Sequence, residues 1–123
     1  MSMELQYDKN KKILICLCEG PFSIDDFKAT LALMVSSKEY PPTVDVLWDM
    51  READPASFDI SLVGQAVSIR QNYPQWGDSK LAIVASDDLR FGLLRMYEMM
   101  TDEMPQDIHI FRTVADAELW LLS

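Results

Sequence analysis

The sequence predicts an α/β fold with a mostly parallel five-stranded sheet and four helices. Residues 13–18 form an unbroken run of six apolar residues, which indicates a central strand covered on both faces. After a first, alternating strand, apolar runs of strand length alternate four times with segments of helical periodicity. Short right-handed crossovers between such units place parallel strands side by side, with helices on both faces of the sheet.

The first strand and the first helix have clear local signals. Leu5 and Tyr7 alternate with polar residues, which is typical of a strand with one solvent-exposed face. Ser23 is a good N-cap for the helix that follows the apolar strand. Phe22 and Phe27 occupy the two positions of a hydrophobic staple. The residues that this helix should bury are Ile24, Phe27, Leu31, Met34 and Val35.

Two further strand–helix units follow. Residues 44–50 and 81–85 are the predicted strands. The cap of the helix after the first of them is either Asp54 or Ser57, and the helix after the second opens at residues 86–88. The first of these helices should bury Leu62, Val63, Ala66, Val67 and Tyr73, and the second Leu89, Leu93, Met96, Tyr97, Met100 and Met104.

The last unit is shorter. A loop around Trp76 separates the two preceding units, and residues 108–111 form the last predicted strand. Thr113 is then expected to cap a final helix that packs Ala117, Trp120 and Leu121 inward.

Composition restricts the class of protein. A length of 123 residues is typical of a single domain. With 20 acidic and 11 basic residues, the net charge is −9. Such a balance repels phosphate backbones, which argues against nucleic acid as a partner. No run approaches the ~20 apolar residues of a membrane span, and the first residues lack a secretory signal. Cys16 and Cys18 should be buried free thiols, which fit a reducing cytoplasm.

Three stretches resemble the SpoIIAA-like family of small bacterial proteins. Residues 80–98 combine a strand, an acidic turn and Phe-Gly-x-x-Arg-Met at a helix start. Residues 47–51 are similar to the family's second core strand, and residues 110–121 to its last strand and helix. The motif residues are Phe91, Gly92, Arg95 and Met96. The resemblance implies one domain over residues 1–123, with the STAS fold of anti-sigma-factor antagonists. Most members of the family have no assigned activity, and some resemble carriers of lipids or small ligands.

Ser57 marks a departure from the related antagonists. Those proteins carry a phosphorylatable serine in an Asp-Ser-x-Gly-type turn after the second core strand. Ser57 lies near that place, but the glycine is absent from residues 53–60. The serine is therefore either a phosphorylation site or an N-cap whose side chain satisfies a backbone amide. The sequence leaves both alternatives open.

Residue types that carry catalysis lack suitable neighbours. His109 is the one histidine, and no nucleophile lies beside it in its strand. Paired carboxylates at residues 25–26 and 87–88 lie at helix starts, where the helix dipole stabilises them. No zinc spacing and no glycine-rich nucleotide loop is present. The sequence predicts a non-enzymatic protein without catalytic residues, metal or cofactor.

A binding site is predicted at the carboxyl ends of the strands, where ligands of parallel α/β sheets bind. Arg51, Arg95 and Arg112 would hold an anionic group there, unless each pairs with a neighbouring carboxylate. Phe91 and Arg95 are four residues apart and should present together to a partner with an apolar body and an anionic end. The site residues are Asp49, Arg51, Asp88, Phe91, Gly92, Arg95 and Met99.

Three functions remain open at this point. The first is a regulatory or protein-interaction domain, favoured by a sealed core with an exposed apolar patch. The second is a carrier of a small amphipathic ligand or lipid with peripheral membrane contact, favoured by an apolar cavity near Phe91 and Met99. The third and weakest is an enzyme with a carboxylate–arginine site, favoured by a strongly shifted pKa of Asp49 or Asp87. The expected partner is a protein or a small amphipathic or anionic ligand, and a homodimer is left open.

Overall fold

The structure is a computed structural model that describes residues 3–73 and 79–123. The loop predicted around Trp76 lies outside these residues. In chain order the elements are β1 (Met3–Asp8), β2 (Ile13–Gly20), α1 (Ile24–Ser36), β3 (Asp45–Ala53), α2 (Ile60–Gln71), β4 (Lys80–Val84), α3 (Asp88–Met100), β5 (Asp107–Phe111) and α4 (Val114–Leu121). A 3₁₀ turn at Pro55–Ser57 precedes α2.

The sheet confirms the predicted architecture. Its strand order is β1-β2-β3-β4-β5, with β1 antiparallel to β2 and the other neighbours parallel. The apolar run of β2 therefore lies in an interior strand, as expected. Its predicted burial on both faces is only partly right, because α4 packs on β3, β4 and β5 and leaves Ile15 and Leu17 of β2 half-buried.

Two cores lie on opposite faces of the sheet. The larger core joins one face to α1, α2 and α3, and the smaller joins the other face to α4. Ser23 caps α1 and Thr113 caps α4, each accepting a hydrogen bond from a backbone amide three residues on. The rings of Phe22 and Phe27 lie 5.7 Å apart, so the staple is present. The apolar residues of the smaller core are Ile13, Leu47, Ala82, Val84, Ala117 and Leu121.

The predicted start of α2 is wrong. Asp59 caps this helix through a bond from the Leu62 amide, while Asp54 caps the preceding 3₁₀ turn. The extra turn follows from Pro55, which suits the first turn of a helix, and moves the true start to Ile60. Neither residue expected as the cap, Asp54 or Ser57, therefore has that role in α2.

Two helices are also rotated relative to their predicted stripes. In α3, Leu89 and Met100 are 58 % and 51 % exposed, and Arg90 is buried in their place. The cause is a set of backbone carbonyls at the end of β3 that accept hydrogen bonds from Arg90. In α1, Val35 is exposed and Thr30 is buried, where its hydroxyl donates to the sulfur of Met3. Hydrogen-bonded polar residues thus displace apolar ones from the expected faces.

Candidate functional site

The carboxyl edge of the sheet brings most of the predicted site residues together. Because β2 to β5 are parallel, their carboxyl ends meet at one edge. Asp49 and Arg51 come from β3, Asp88 and Phe91 from the first turn of α3, and Arg112 from the residues after β5. Gly92, Arg95 and Met99 follow along α3.

Asp49 and Arg51 form a closed pair. The Asp49 carboxylate accepts from the Arg51 guanidinium at 2.9 and 2.7 Å and from the Arg51 backbone amide at 3.1 Å. Burial raises the pKa of Asp49, but these hydrogen bonds lower it more, so the net pKa lies below the usual range. The carboxylate stays ionised and its oxygens are occupied by its own strand.

The start of α3 is tied to the end of β5. The Arg112 guanidinium lies 2.8 Å from the Asp88 carboxylate and 4.2 Å above the centre of the Phe91 ring. Phe91 is half-buried and packs against the larger core. Phe91 is thus packed on one side and covered by Arg112 on the other.

Arg95 also has a partner. Its guanidinium lies 3.5 Å from Glu98, whose carboxylate accepts a hydrogen bond from the Ile110 amide of β5 at 3.1 Å. Each of the three arginines expected to hold an anion is therefore paired with a neighbouring carboxylate. Phe91 and Arg95 lie on the flank of α3 that faces β5.

Arg90 is a structural residue that the sequence reasoning missed. Its guanidinium is buried and donates to the carbonyls of Met50, Arg51 and Ala53 and to the Asp87 carboxylate. Burial raises the pKa of Asp87, but the hydrogen bonds and the charge of Arg90 lower it more, so the net pKa lies below the usual range. The signal in the sequence was an arginine at a position whose helical spacing to Leu93, Leu94 and Tyr97 places it on the buried face.

Ser57 is engaged in hydrogen bonds in both directions. Its hydroxyl donates to the Asp54 carbonyl at 2.7 Å and accepts from the Phe22 amide at 2.9 Å. These bonds tie the 3₁₀ turn to the segment that enters α1. The N-cap role expected for α2 is absent, and phosphorylation at Ser57 stays a prediction.

The solvent side of α3 is apolar. Leu89, Met99 and Met100 are 58 %, 64 % and 51 % exposed, Gly92 is exposed, and Met96 is half-buried. At 3.6 residues per turn these five residues fall within a sector of about 100°, and no charged residue of α3 lies in it. We call them the α3 methionine face. An added Cβ at Gly92 would meet no atom within 4 Å, so this surface is open at its centre.

A polar cleft of about 290 Å³ continues from one end of this face. It lies between the C-terminal end of α3 and β5, and its walls include the carboxylates of Glu98, Asp102 and Asp107 together with Met99. His109 is exposed here, with its Nε2 3.1 Å from Asp107. We call this the acidic cleft.

An apolar cavity of about 60 Å³ lies inside the larger core, between the sheet and α1, α2 and α3. Buried Arg70 marks its polar side and donates to Gln106 at 3.0 Å, while Gln106 donates to Ser79 at 2.9 Å. Burial raises the pKa of Tyr97, which also lines the cavity, to about 12. A ligand carrier was expected to have its cavity near Phe91 and Met99. Neither residue lines this cavity.

The cysteines behave as buried thiols. Cys16 and Cys18 are free, and a hydrogen bond with Cys18 together with burial raises the pKa of the Cys16 thiol. Across residues 3–73 and 79–123, no group of three or more histidine, cysteine, aspartate or glutamate side chains is arranged to hold a metal ion. In the same residues, no helix is long and apolar enough to cross a membrane.

Comparison with known proteins supports the fold. The crystal structure of an uncharacterised DUF3478-family protein with a SpoIIAA-like fold, from Shewanella loihica PV-4, superimposes with a TM-score of 0.64. The match covers 98 % of this chain and 92 % of that chain, at 16 % sequence identity. No family model and no curated protein matches the sequence. The chain therefore has a SpoIIAA-like fold, and the structural neighbour has no characterised function to compare with the site.

Proposed function

We propose that this chain is a non-enzymatic protein-interaction domain with a regulatory role, and that it binds its partner through the α3 methionine face. The observation that carries the proposal is the exposure of Leu89, Met99 and Met100 on one side of one helix. Contiguous exposed apolar side chains are uncommon on soluble domains and typically mark binding sites. Methionine is frequent at surfaces that adapt to a partner, because its side chain is flexible and polarisable.

The carboxylate–arginine pairs support a non-enzymatic role. Asp49 and Asp87 both have a lowered pKa and are held by arginines, so they remain ionised and hydrogen-bonded. A general acid or base needs a pKa near the working pH, which these environments oppose. Cys16 and Cys18 are buried among apolar groups, which disfavours the reactive thiolate. Free thiols of this kind also support a cytoplasmic location.

The apolar cavity in the larger core is relevant to a second candidate, a carrier of a small amphipathic ligand. Its volume of about 60 Å³ is less than half of an engineered cavity of roughly 150 Å³ that admits benzene. A ligand of that size or larger would have to enlarge the cavity between the helices and the sheet. Native mass spectrometry of freshly purified protein distinguishes the candidates, because a carrier retains a small ligand and an interaction domain does not.

The test of the proposed function is site-specific photo-crosslinking in cells that express the protein. A benzophenone amino acid at Met99 should give one discrete adduct of higher mass. The matched control is the same amino acid at Leu119 of α4, which is 71 % exposed but lies away from α3. The adduct should disappear when Leu89 and Met100 are both changed to Gln. An equal yield from position 119, or no adduct from position 99, contradicts the proposal.

A further inference from the structure

We propose that the partner presents a basic amphipathic helix, whose apolar side covers the α3 methionine face and whose basic side chain enters the acidic cleft. This inference rests on the proposed function and names the chemistry of the partner. It follows from the way apolar surface and charge are arranged around α3.

The C-terminal end of the face is acidic. Asp102 and Glu103 are exposed just beyond the end of α3, whereas Asp87 and Asp88 at its start are already paired with Arg90 and Arg112. The helix beside it, α2, contributes no charge between Ile60 and Gln71 except Arg70, which is buried. Among the described residues of α2 and α3, the one half-exposed base is Arg95, which lies on the flank facing β5 in an ion pair with Glu98.

The apolar and acidic parts are continuous. Met99 belongs to the α3 methionine face and also lines the acidic cleft. A ligand on the face would therefore lie directly beside the cleft that Asp102 and Asp107 line. The cleft, at about 290 Å³, has room for a lysine or arginine side chain.

The length of the face sets the length of the partner. Leu89 to Met100 covers eleven residue steps, or about 16 Å along a helix. A partner helix of roughly three turns spans that distance and offers anchors at positions i, i+3 or i+4, and i+7. Flexible methionines accommodate such anchors without a preformed pocket for each.

Charge argues against the other occupants. A second copy of the chain would be repelled, because each copy has a net charge of −9. An anionic lipid surface would meet the same repulsion. A cationic helix instead gains from the acidic C-terminal end of the face, and its association should weaken as salt screens those charges.

The test uses a defined probe, a peptide of about 14 residues made of leucine and lysine with the leucines on one helical side. Its binding to the full chain is measured by fluorescence anisotropy at low and high salt. A peptide with glutamate in place of lysine is the control probe. We expect binding of the lysine peptide that weakens with salt, and no binding of the glutamate peptide.

Three protein variants locate the contact. Leu89→Gln with Met100→Gln should weaken peptide binding at least about tenfold, because it removes apolar anchors. Asp102→Asn with Asp107→Asn should weaken it about threefold or more and reduce its dependence on salt. Leu119→Gln on α4 is the matched control and should bind within about twofold of the unmodified chain. If the double glutamine variant fails to fold, Met99→Gln replaces it, since Met99 is the most exposed of the large apolar side chains of the face.

Several results overturn this inference. They are absence of peptide binding, equal binding of the glutamate peptide, and equal binding by the unmodified chain and the double glutamine variant. A dimer in sedimentation that the same substitutions dissociate would assign the face to a second copy instead. A photo-crosslinked adduct from position 99 without peptide binding would support the proposed function and contradict only the basic-helix partner. Absence of both the adduct and peptide binding would contradict the proposed function as well as this inference.

Discussion

Arg90 should be the most important charged residue for the stability of this fold, and its replacement by Met tests that directly. Met keeps much of the length and apolar character of the arginine stem. The change removes a guanidinium that donates to three backbone carbonyls of β3 and to the Asp87 carboxylate. Loss of one partner from a buried charged network costs about 3–5 kcal/mol, because the remaining acceptors stay desolvated. We therefore expect a loss of at least about 3 kcal/mol in the free energy of unfolding.

The matched control lies one and a half turns further along the same helix. Arg95 makes an ion pair with Glu98 at 3.5 Å, and its side chain is 50 % exposed. Arg95→Met should cost less than about 1 kcal/mol, since exposed pairs contribute little in water. The assay is urea unfolding of both variants, with comparison of midpoints at equal slope. A loss below about 1 kcal/mol for Arg90→Met, or equal losses for the two variants, would refute the bracing role of Arg90.

Three further predictions concern other buried polar groups. The pKa of Asp49 is lowered in the folded protein, so Asp49 contributes stability at neutral pH that is lost as the pH falls from the unfolded value of about 3.9 through the folded value. The difference in free energy of unfolding between the unmodified chain and Asp49→Asn should therefore become smaller when urea unfolding is repeated at lower pH. A difference that stays constant or grows contradicts this. Cys16 and Cys18 should resist iodoacetamide until the chain unfolds, because both are buried and the pKa of Cys16 is raised; labelling of the folded chain at the rate of a free thiol would show otherwise. Ser57→Ala should lower the free energy of unfolding by about 1–2 kcal/mol, since it removes an acceptor of the Phe22 amide, whereas an unchanged thermal midpoint would mean that this bond adds nothing.

The strand–helix order was predictable because it rests on local signals. The apolar run of β2 is interior, and Ser23 and Thr113 cap their helices. Each of these depends on neighbours within a few residues, such as a side-chain oxygen and an amide three positions on. The free state of the two thiols followed in the same way from strand geometry.

The binding site was harder to predict because it depends on contacts between distant segments. Sequence spacing grouped Phe91 with Arg95 as one surface, and the fold turns both toward β5, where Arg112 and Glu98 cover them. Gly92 and Met99, also expected in the site, fall instead on the exposed side of α3. Leu89 was expected in the core and Phe91 on the surface for one reason. The predicted buried face of α3 is rotated about the helix axis relative to the face that the structure buries.

The sequence by itself determined the class of fold, the caps of the first and last helices, and the negative charge that limits the choice of partner. Tertiary structure alone decided which side of α3 meets the solvent. That choice was made by Arg90, which reaches carbonyls about forty residues earlier in the chain. Hydrophobic periodicity treats an arginine as a surface residue, and it contains no information on distant acceptors that a buried guanidinium can satisfy. The rotation that follows leaves Leu89 and Met100 in water, and so creates the apolar face on which the proposed interaction depends.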